Sequence, residues 1–256
     1  MTEGGSPAQA PTRAAQSGWG RGGSSHRTAA DVEESVSPLM FAPEDSPGMR
    51  IVLSAAIELM SEKGFHGTSI RDIAERADMS GGSMYHYFGS KQDLLHDILR
   101  RGMVALTANA RAARDAAEPN PVARFEAMVR AHVVLHTQIP RESLLTNRDF
   151  FSLSPDRRES IIAMRDEYEA LFTSALEAGR RDGSCRYPHP REAVRAVIAM
   201  CSAVGTWYRP GGELRPDEIA DRYARLALNM IDAPGAVGSC SAGQTEQDDR
   251  SGGGLG

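Results

Sequence analysis

A chain of 256 residues and 27.6 kDa, 41% hydrophobic and 25% charged, fits one large or two modest soluble domains and excludes a fibrous or wholly disordered protein. No window approaches the roughly 18 uncharged apolar residues of a membrane span, and the start MTEGGSPAQAPTR lacks an apolar signal core, so a cytoplasmic protein without membrane contact is expected. Cys185, Cys201 and Cys240 have no CxxC spacing, which points to buried or inert thiols rather than a disulfide framework or a zinc site. The net charge of -5 counts against indiscriminate binding of polyanions. It is unevenly placed, however: residues 1–46 carry 3 basic and 6 acidic side chains and 233–256 carry 1 and 3, so a local basic face remains open.

Residues 1–48 hold 19 Gly, Pro or Ser, and the chain closes on DDRSGGGLG, so tails over 1–46 and 233–256 are expected to be disordered. Arg13, Arg21, Arg27 and Trp19 would offer at most weak contacts from such an arm. Everything between reads as helix, with no run of alternating β-branched residues and no Asn-Gly hairpin signal. An all-α fold follows. A first helix near 49–63 places Val52, Ala55, Ala56, Leu59 and Met60 on one stripe and stops at Gly64. Thr68 can cap a short second helix over 69–77, and Ser80 a third over 81–87. Ser90 with Asp93 forms a capping box for a fourth. Asn120-Pro121, Ser154-Pro155 and Pro216-Asp217-Glu218 open helices near 121–138, 155–181 and 216–231, and shorter ones lie near 141–152 and 190–208.

Two short helices joined by a tight turn, with Ile70, Ile73, Ala74, Met79 and Met84 directed inward, form a helix-turn-helix candidate. By itself this is weak, since helical cores often contain such a pair. The polar content sharpens it. Ser80-Gly81-Gly82-Ser83 puts small residues at the start of the third helix, where backbone can approach base edges or phosphates. Tyr85, His86 and Tyr87 have the reach for sugar and phosphate oxygens. Lys91 opposes the helix dipole in the first turn of the fourth helix, a local cost explained by a neighbouring phosphate. The plain alternative is a tyrosine-rich helix packed against its neighbours, which suits Phe88 better than Tyr87 or Lys91.

The runs Gly64-Phe65-His66-Gly67-Thr68-Ser69-Ile70-Arg71-Asp72-Ile73-Ala74 and Ser80-Gly81-Gly82-Ser83-Met84-Tyr85-His86-Tyr87-Phe88-Gly89-Ser90-Lys91-Gln92-Asp93-Leu94-Leu95 resemble the N-terminal signature of TetR-family repressors. The resemblance implies a helix-turn-helix three-helix module over 47–100 and a helical effector-binding and dimerisation domain over 101–232. It further implies that Arg71, Gly82, Ser83 and Tyr85 face the major groove while Thr68, Tyr87 and Lys91 hold the backbone, with Ser80, Gly81 and His86 in the same interface. Position 87 is often histidine in that family, and tyrosine donates equally well. The implied partners are a double-stranded DNA operator, a small-molecule effector and a second copy of the chain, with no cofactor.

In the second domain, Val194, Ile198, Cys201, Val204, Gly205 and Tyr208 on one helix and Ile219, Tyr223, Leu226 and Met230 on the next form stripes suited to a dimer interface, with internal core as the alternative. The segment Trp207-Tyr208-Arg209-Pro210-Gly211-Gly212-Glu213-Leu214, leading into Asp217, is similar to a subgroup of TetR regulators of which some respond to acyl-coenzyme A thioesters. Met128, Met164, Tyr168, Phe172, Met200 and Trp207 are candidate walls of an apolar effector pocket, and Arg148, Arg165 and Arg209 could meet phosphates. His132 and His136, four apart, could line that pocket, pack in the core or a dimer contact, or share a metal; no partner carboxylate favours the metal. A helical enzyme and an interaction module without DNA affinity remain as other readings. No GxSxG elbow, GxxxxGK[ST] loop or GxGxxG turn supports the first, and Tyr87 and Lys91 count against the second.

Overall fold

The computed structural model describes residues 36–232, so the expectations for 1–35 and 233–256, including Cys240 and the arginines of the arm, lie outside the described residues. Within that range the chain is helical; Ser46, Ser69, Ser80, Ser90 and Asn120 cap the starts of five helices with their side chains, and most later helices open on proline without such a cap. Helix α1 (Pro47–Lys63) is opened by Ser46, whose hydroxyl accepts the Met49 N–H, and by Pro47 in the first turn. It ends at Gly64, whose φ of 77° lies in the region that side chains disfavour. Helix α2 (Ile70–Arg76) starts at Ser69 in a reciprocal capping box with Asp72. The expected cap, Thr68, is instead buried and donates its hydroxyl to the Gly64 carbonyl at 2.9 Å.

The turn after α2 is a Schellman closure: Met79 N–H donates to Ala74 O at 2.9 Å and Asp78 N–H to Glu75 O at 3.3 Å, with Asp78 at φ 53°. Helix α3 (Gly81–Met84) is one turn capped by Ser80, shorter than the expected 81–87, because Tyr85 to Tyr87 continue as a turn. Helix α4 (Lys91–Ala116) starts at Ser90 and runs straight through the expected domain boundary at 100. The two domains therefore share a helix.

The second half comprises α5 (Pro121–Gln138), α6 (Pro140–Arg148), α7 (Pro155–Asp182), α8 (Pro190–Ser202), α9 (Val204–Trp207) and α10 (Pro216–Met230). A 3-10 turn at Phe150–Ser152 completes the expected 141–152 element, and Ala203 interrupts the expected 190–208 helix between α8 and α9. Helix α5 is the axis of this half, packing against α4, α7, α8 and α10. Phe125 on α5 and Phe172 on α7 are essentially inaccessible and meet edge to face at 6.1 Å between ring centres. Burying each such ring stabilises the fold by roughly 1.5–3 kcal/mol.

Residues 36–46 depart from the expected tail. A 3-10 turn over Pro38–Met40 drives Val36 and Met40 into the core, and Arg101 on α4 donates to Met40 O and to both oxygens of Asp45. Burial pushes the Asp45 carboxyl up, but its bonds from Arg101 and the Ala42 N–H outweigh that and hold it below the usual carboxylate range. A Gly, Pro and Ser-rich composition hid two apolar anchors.

Candidate nucleic-acid interface and effector core

The helix-turn-helix pair buries Ile73, Ala74, Ala77 and Met84, with Phe88 just beyond it also buried, and α2 packs against both α1 and α3. That leaves Arg71, Ser80, Gly81, Gly82, Tyr85 and His86 exposed on the outer side, with Tyr85 61% accessible although aromatic. Ser80 accepts the Ser83 N–H at 3.1 Å, and the two hydroxyls lie 2.8 Å apart. A Cβ added at Gly81 would meet nothing within 4 Å, and at Gly82 only Ser80 Oγ at 3.8 Å; neither glycine has a positive φ. Nothing inside the chain requires glycine at these two positions. Glycine also lowers helix stability, so the fold gains nothing from it here.

Three expected interface residues are placed differently. Thr68 is 1% exposed with its hydroxyl used internally, so its side chain is withdrawn from the DNA face. Tyr87 folds back onto the first turn of α1, where a Cβ on Gly48 would overlap its hydroxyl. Lys91 donates to Phe65 O at 2.8 Å and Thr68 O at 2.7 Å, with its ammonium 4.2 Å from the centre of the Phe65 ring. This supplies an internal reason for a lysine at a helix start. Two of its three protons are committed to the chain.

In the second half, His132 and His136 stack at 4.2 Å between ring centres, both buried. His132 Nδ1 pairs with the Tyr168 hydroxyl at 2.7 Å and its Nε2 with Ser202 Oγ at 3.1 Å, while His136 Nδ1 donates to His132 O at 2.9 Å. Burial and the neighbouring His136 hold His132 well below the ordinary histidine value, and burial brings His136 down to about 4. Burial likewise pushes the Cys201 thiol up to about 12 and the Tyr168 hydroxyl well above its usual value. Both imidazoles are neutral near pH 7, and charge is excluded from this core. Among the described residues no group of three His, Cys, Asp or Glu is placed to hold a metal ion.

Met128 and Phe172, expected in the pocket, are buried in the same core as the histidines and Tyr168, and Met200 packs at its margin. Two others are not there. Trp207 is 45% exposed beside Tyr223, at 6.3 Å between ring centres. Arg148 lies at the junction with the recognition module, donating to Met60 O and Ser61 O of α1 and to Asp149. Arg165 donates to Thr146 O at 2.8 Å, its guanidinium 4.0 Å from the Phe150 ring. An open cleft of about 310 Å³, lined by Arg114, Pro121, Arg124 and Ser174 among others, contains none of the expected pocket residues.

The expected dimer set also divides. Val194, Cys201 and Ile219 are at most 2% exposed and belong to the chain's own core, so their side chains cannot meet a second copy. Leu226 at 50% and Met230 at 37% remain exposed, with Ile198, Gly205, Tyr208 and Tyr223 half-buried around them. An apolar stripe on an amphipathic helix looks the same in sequence whether it faces its own core or a neighbour.

Residues 52–98 match the model of bacterial regulatory proteins of the tetR family, and 118–231 match that of the tetracyclin repressor-like C-terminal domain. The transcriptional repressor KstR2 of Rhodococcus jostii strain RHA1 is 30% identical over 194 residues, 72% of this chain and 90% of that protein. The chain belongs to the TetR family. A TetR-family regulatory protein from Rhodococcus RHA1 superposes with a TM-score of 0.69 at 29% identity, covering 73% of this chain and 98% of that one. KstR2 of Mycobacterium tuberculosis, described as a ketosteroid transcriptional regulator, superposes at 0.64 with 25% identity over 70% and 92% of the two chains. As a TetR-family member the chain is a ligand-responsive DNA-binding transcriptional regulator, and the α2–α3 pair of its matched segment 52–98 is the candidate reading head.

Sequence reasoning missed the joint between that head and the regulatory half. Arg148 and Asp149 reach α1 and Phe65, Gln92 pairs with Ser152 O at 2.8 Å and Ser154 N–H at 3.0 Å, and Arg157 pairs with Asp93. These partners lie some 60 or more residues apart along the chain, and no local pattern announces them.

Proposed function

We propose that this TetR-family regulator acts as a repressor, binding a palindromic operator as a homodimer and leaving it when an apolar metabolite, with an acyl-coenzyme A thioester as first candidate, enters the regulatory half. The observation that carries the DNA side is the pair Gly81 and Gly82, open to solvent and unexplained by the fold, beside exposed Arg71, Ser80, Tyr85 and His86. Two such heads on a two-fold axis read inverted half-sites at a spacing set by the dimer. Phosphate contacts supply affinity and salt dependence, and base-edge contacts supply preference.

The exposed apolar side chains of Leu226, Met230 and Trp207, with half-buried Tyr223 beside Trp207, support a dimer built on α8 to α10. For the effector, the neutral His132–His136–Tyr168 core favours an uncharged, apolar body carrying an oxygen that can hydrogen-bond, and any charged group of the ligand stays outside it. The ketosteroid regulator among the relatives and the resemblance over 207–217 favour the same class. A chromosomal operator implies a cytoplasmic protein, and no helix among the described residues is long and apolar enough to cross a membrane.

The test is selection of bound fragments from genomic duplex DNA by the purified protein at about 0.15 M salt, followed by release with candidate thioesters. Recovery of an inverted repeat that long-chain or steroid-derived acyl-coenzyme A displaces, and free coenzyme A does not, is the expected result. A direct repeat or a single half-site would overturn the dimeric reading.

A further inference from the structure

The corner between α1 and α2 is held from two directions at one residue. Asp149, 5% exposed and just beyond α6, accepts the Phe65 N–H on its Oδ1 at 3.3 Å. Lys91, on the shared helix α4, donates to the Phe65 carbonyl at 2.8 Å. Phe65 directly follows Gly64, whose left-handed backbone makes the corner. We propose that Asp149 is a positioning residue for operator recognition, fixing where the reading head stands relative to the regulatory half by holding the Phe65 N–H against the Lys91 clamp.

Three features support this. The target is a backbone N–H, so the bond fixes the direction of the chain rather than the packing of a side chain. The carboxylate is itself held: Arg148 donates to Asp149 Oδ2 at 2.8 Å and 3.2 Å, and the same guanidinium donates to Met60 O and Ser61 O at the end of α1. Asp149 is also fastened to its own helix, its N–H donating to Leu145 O at 2.9 Å. Any displacement of α6 is therefore passed to the α1–α2 corner through a buried, charge-assisted contact. Of the other ties across the joint, those from Gln92 and Asp93 hold α4, and the one that reaches the corner, Ser152 Oγ to His66 Nε2 at 3.3 Å, holds an exposed side chain rather than the backbone.

This inference rests on the dimeric reading, because a fixed head position has its consequence in half-site spacing. Inserting one base pair between half-sites displaces them by about 3.4 Å and rotates them by about 35°. The unmodified protein is expected to bind the respaced operator about tenfold or more weakly. Asp149→Ala is expected to reduce that discrimination to under about threefold while changing affinity for an isolated half-site by less than about twofold. Asp149→Asn keeps an oxygen for the Phe65 N–H and should restore discrimination, which a role confined to charge would not produce. Discrimination that survives Asp149→Ala, or that Asp149→Asn relaxes as far as Ala does, overturns the proposal.

A second measurement needs no DNA. The Phe65 amide should exchange with deuterium at a rate typical of helix interiors in the unmodified full chain, and about tenfold or more faster in Asp149→Ala. Exchange at the rate of open loops in the unmodified protein, or equal rates in both, overturns the proposal even if the alanine variant folds poorly or no inverted repeat is recovered.

Discussion

The reading head and the regulatory half use polar residues in opposite ways. In the head, Arg71, Ser80, Tyr85 and His86 stand in solvent over a small apolar core, and the backbone is shaped by caps a few residues apart. In the regulatory half, His132, His136 and Tyr168 are sealed in the interior, His132 and Tyr168 bonded across helices and His136 to the His132 carbonyl of its own helix. The difference teaches that the head leaves its polar groups open to a partner, whereas the regulatory half spends its own on one another. Substitutions should accordingly move affinity in one and stability in the other.

The largest effect is expected in the enclosed core. Phe172→Ala should lower unfolding free energy by about 3–5 kcal/mol, read by chemical denaturation, with operator affinity of the folded protein changed less than about threefold. A weakening of DNA binding as large as the loss of stability would break the comparison. Acid sharpens it. His132 and His136 have depressed values in the folded state, so their neutral forms stabilise the fold above the unfolded histidine value near 6.5, and that contribution is lost as pH falls below it, down to about 4 for His136. Stability should drop by about 1 kcal/mol per pH unit for each histidine between pH 6.5 and 5, and His132→Gln should make the slope shallower.

In the head, Ser83→Ala should weaken the selected operator by about 1–3 kcal/mol, measured against unrelated duplex, with little change in Tm. Lys91→Ala should weaken all duplexes and reduce the salt slope by about 1; because Lys91 also holds Phe65 O and Thr68 O, it should lower stability by about 1 kcal/mol as well. An unchanged slope with lowered stability would assign Lys91 wholly to the corner. The smallest effect is at Gly82→Ala: stability unchanged or raised by a few tenths of a kcal/mol, operator affinity lowered. A variant that binds as well as the original would remove the argument that the glycine serves a partner.

Local physics was legible in the sequence. The helices, the Ser80 and Ser90 caps, Asn120-Pro121 and the stop at Gly64 depend on residues within one turn of each other, and they fall where periodicity and capping put them. What depended on distant partners was not legible. Thr68 was expected to cap and to touch DNA, but a hydroxyl that can reach the carbonyl four residues back gives no sign of that choice in sequence. The segment 36–46 looks like tail because its apolar anchors, Val36, Met40 and Phe41, are few and its Asp45–Arg101 pair spans 56 residues. Val194, Cys201 and Ile219 face inward because α5 happens to pass beneath them, which periodicity alone does not encode.

Helix α4 gives the design its reach. With 26 residues rising about 1.5 Å each it is a rod of about 39 Å with one end in the reading head and the other beside the regulatory core. Tilting such a rod by about 5° about its far end displaces the near end by about 3.4 Å, the height of one base-pair step. By the same leverage, an opening of a fraction of an ångström near the pivot would correspond to a whole step at the far end.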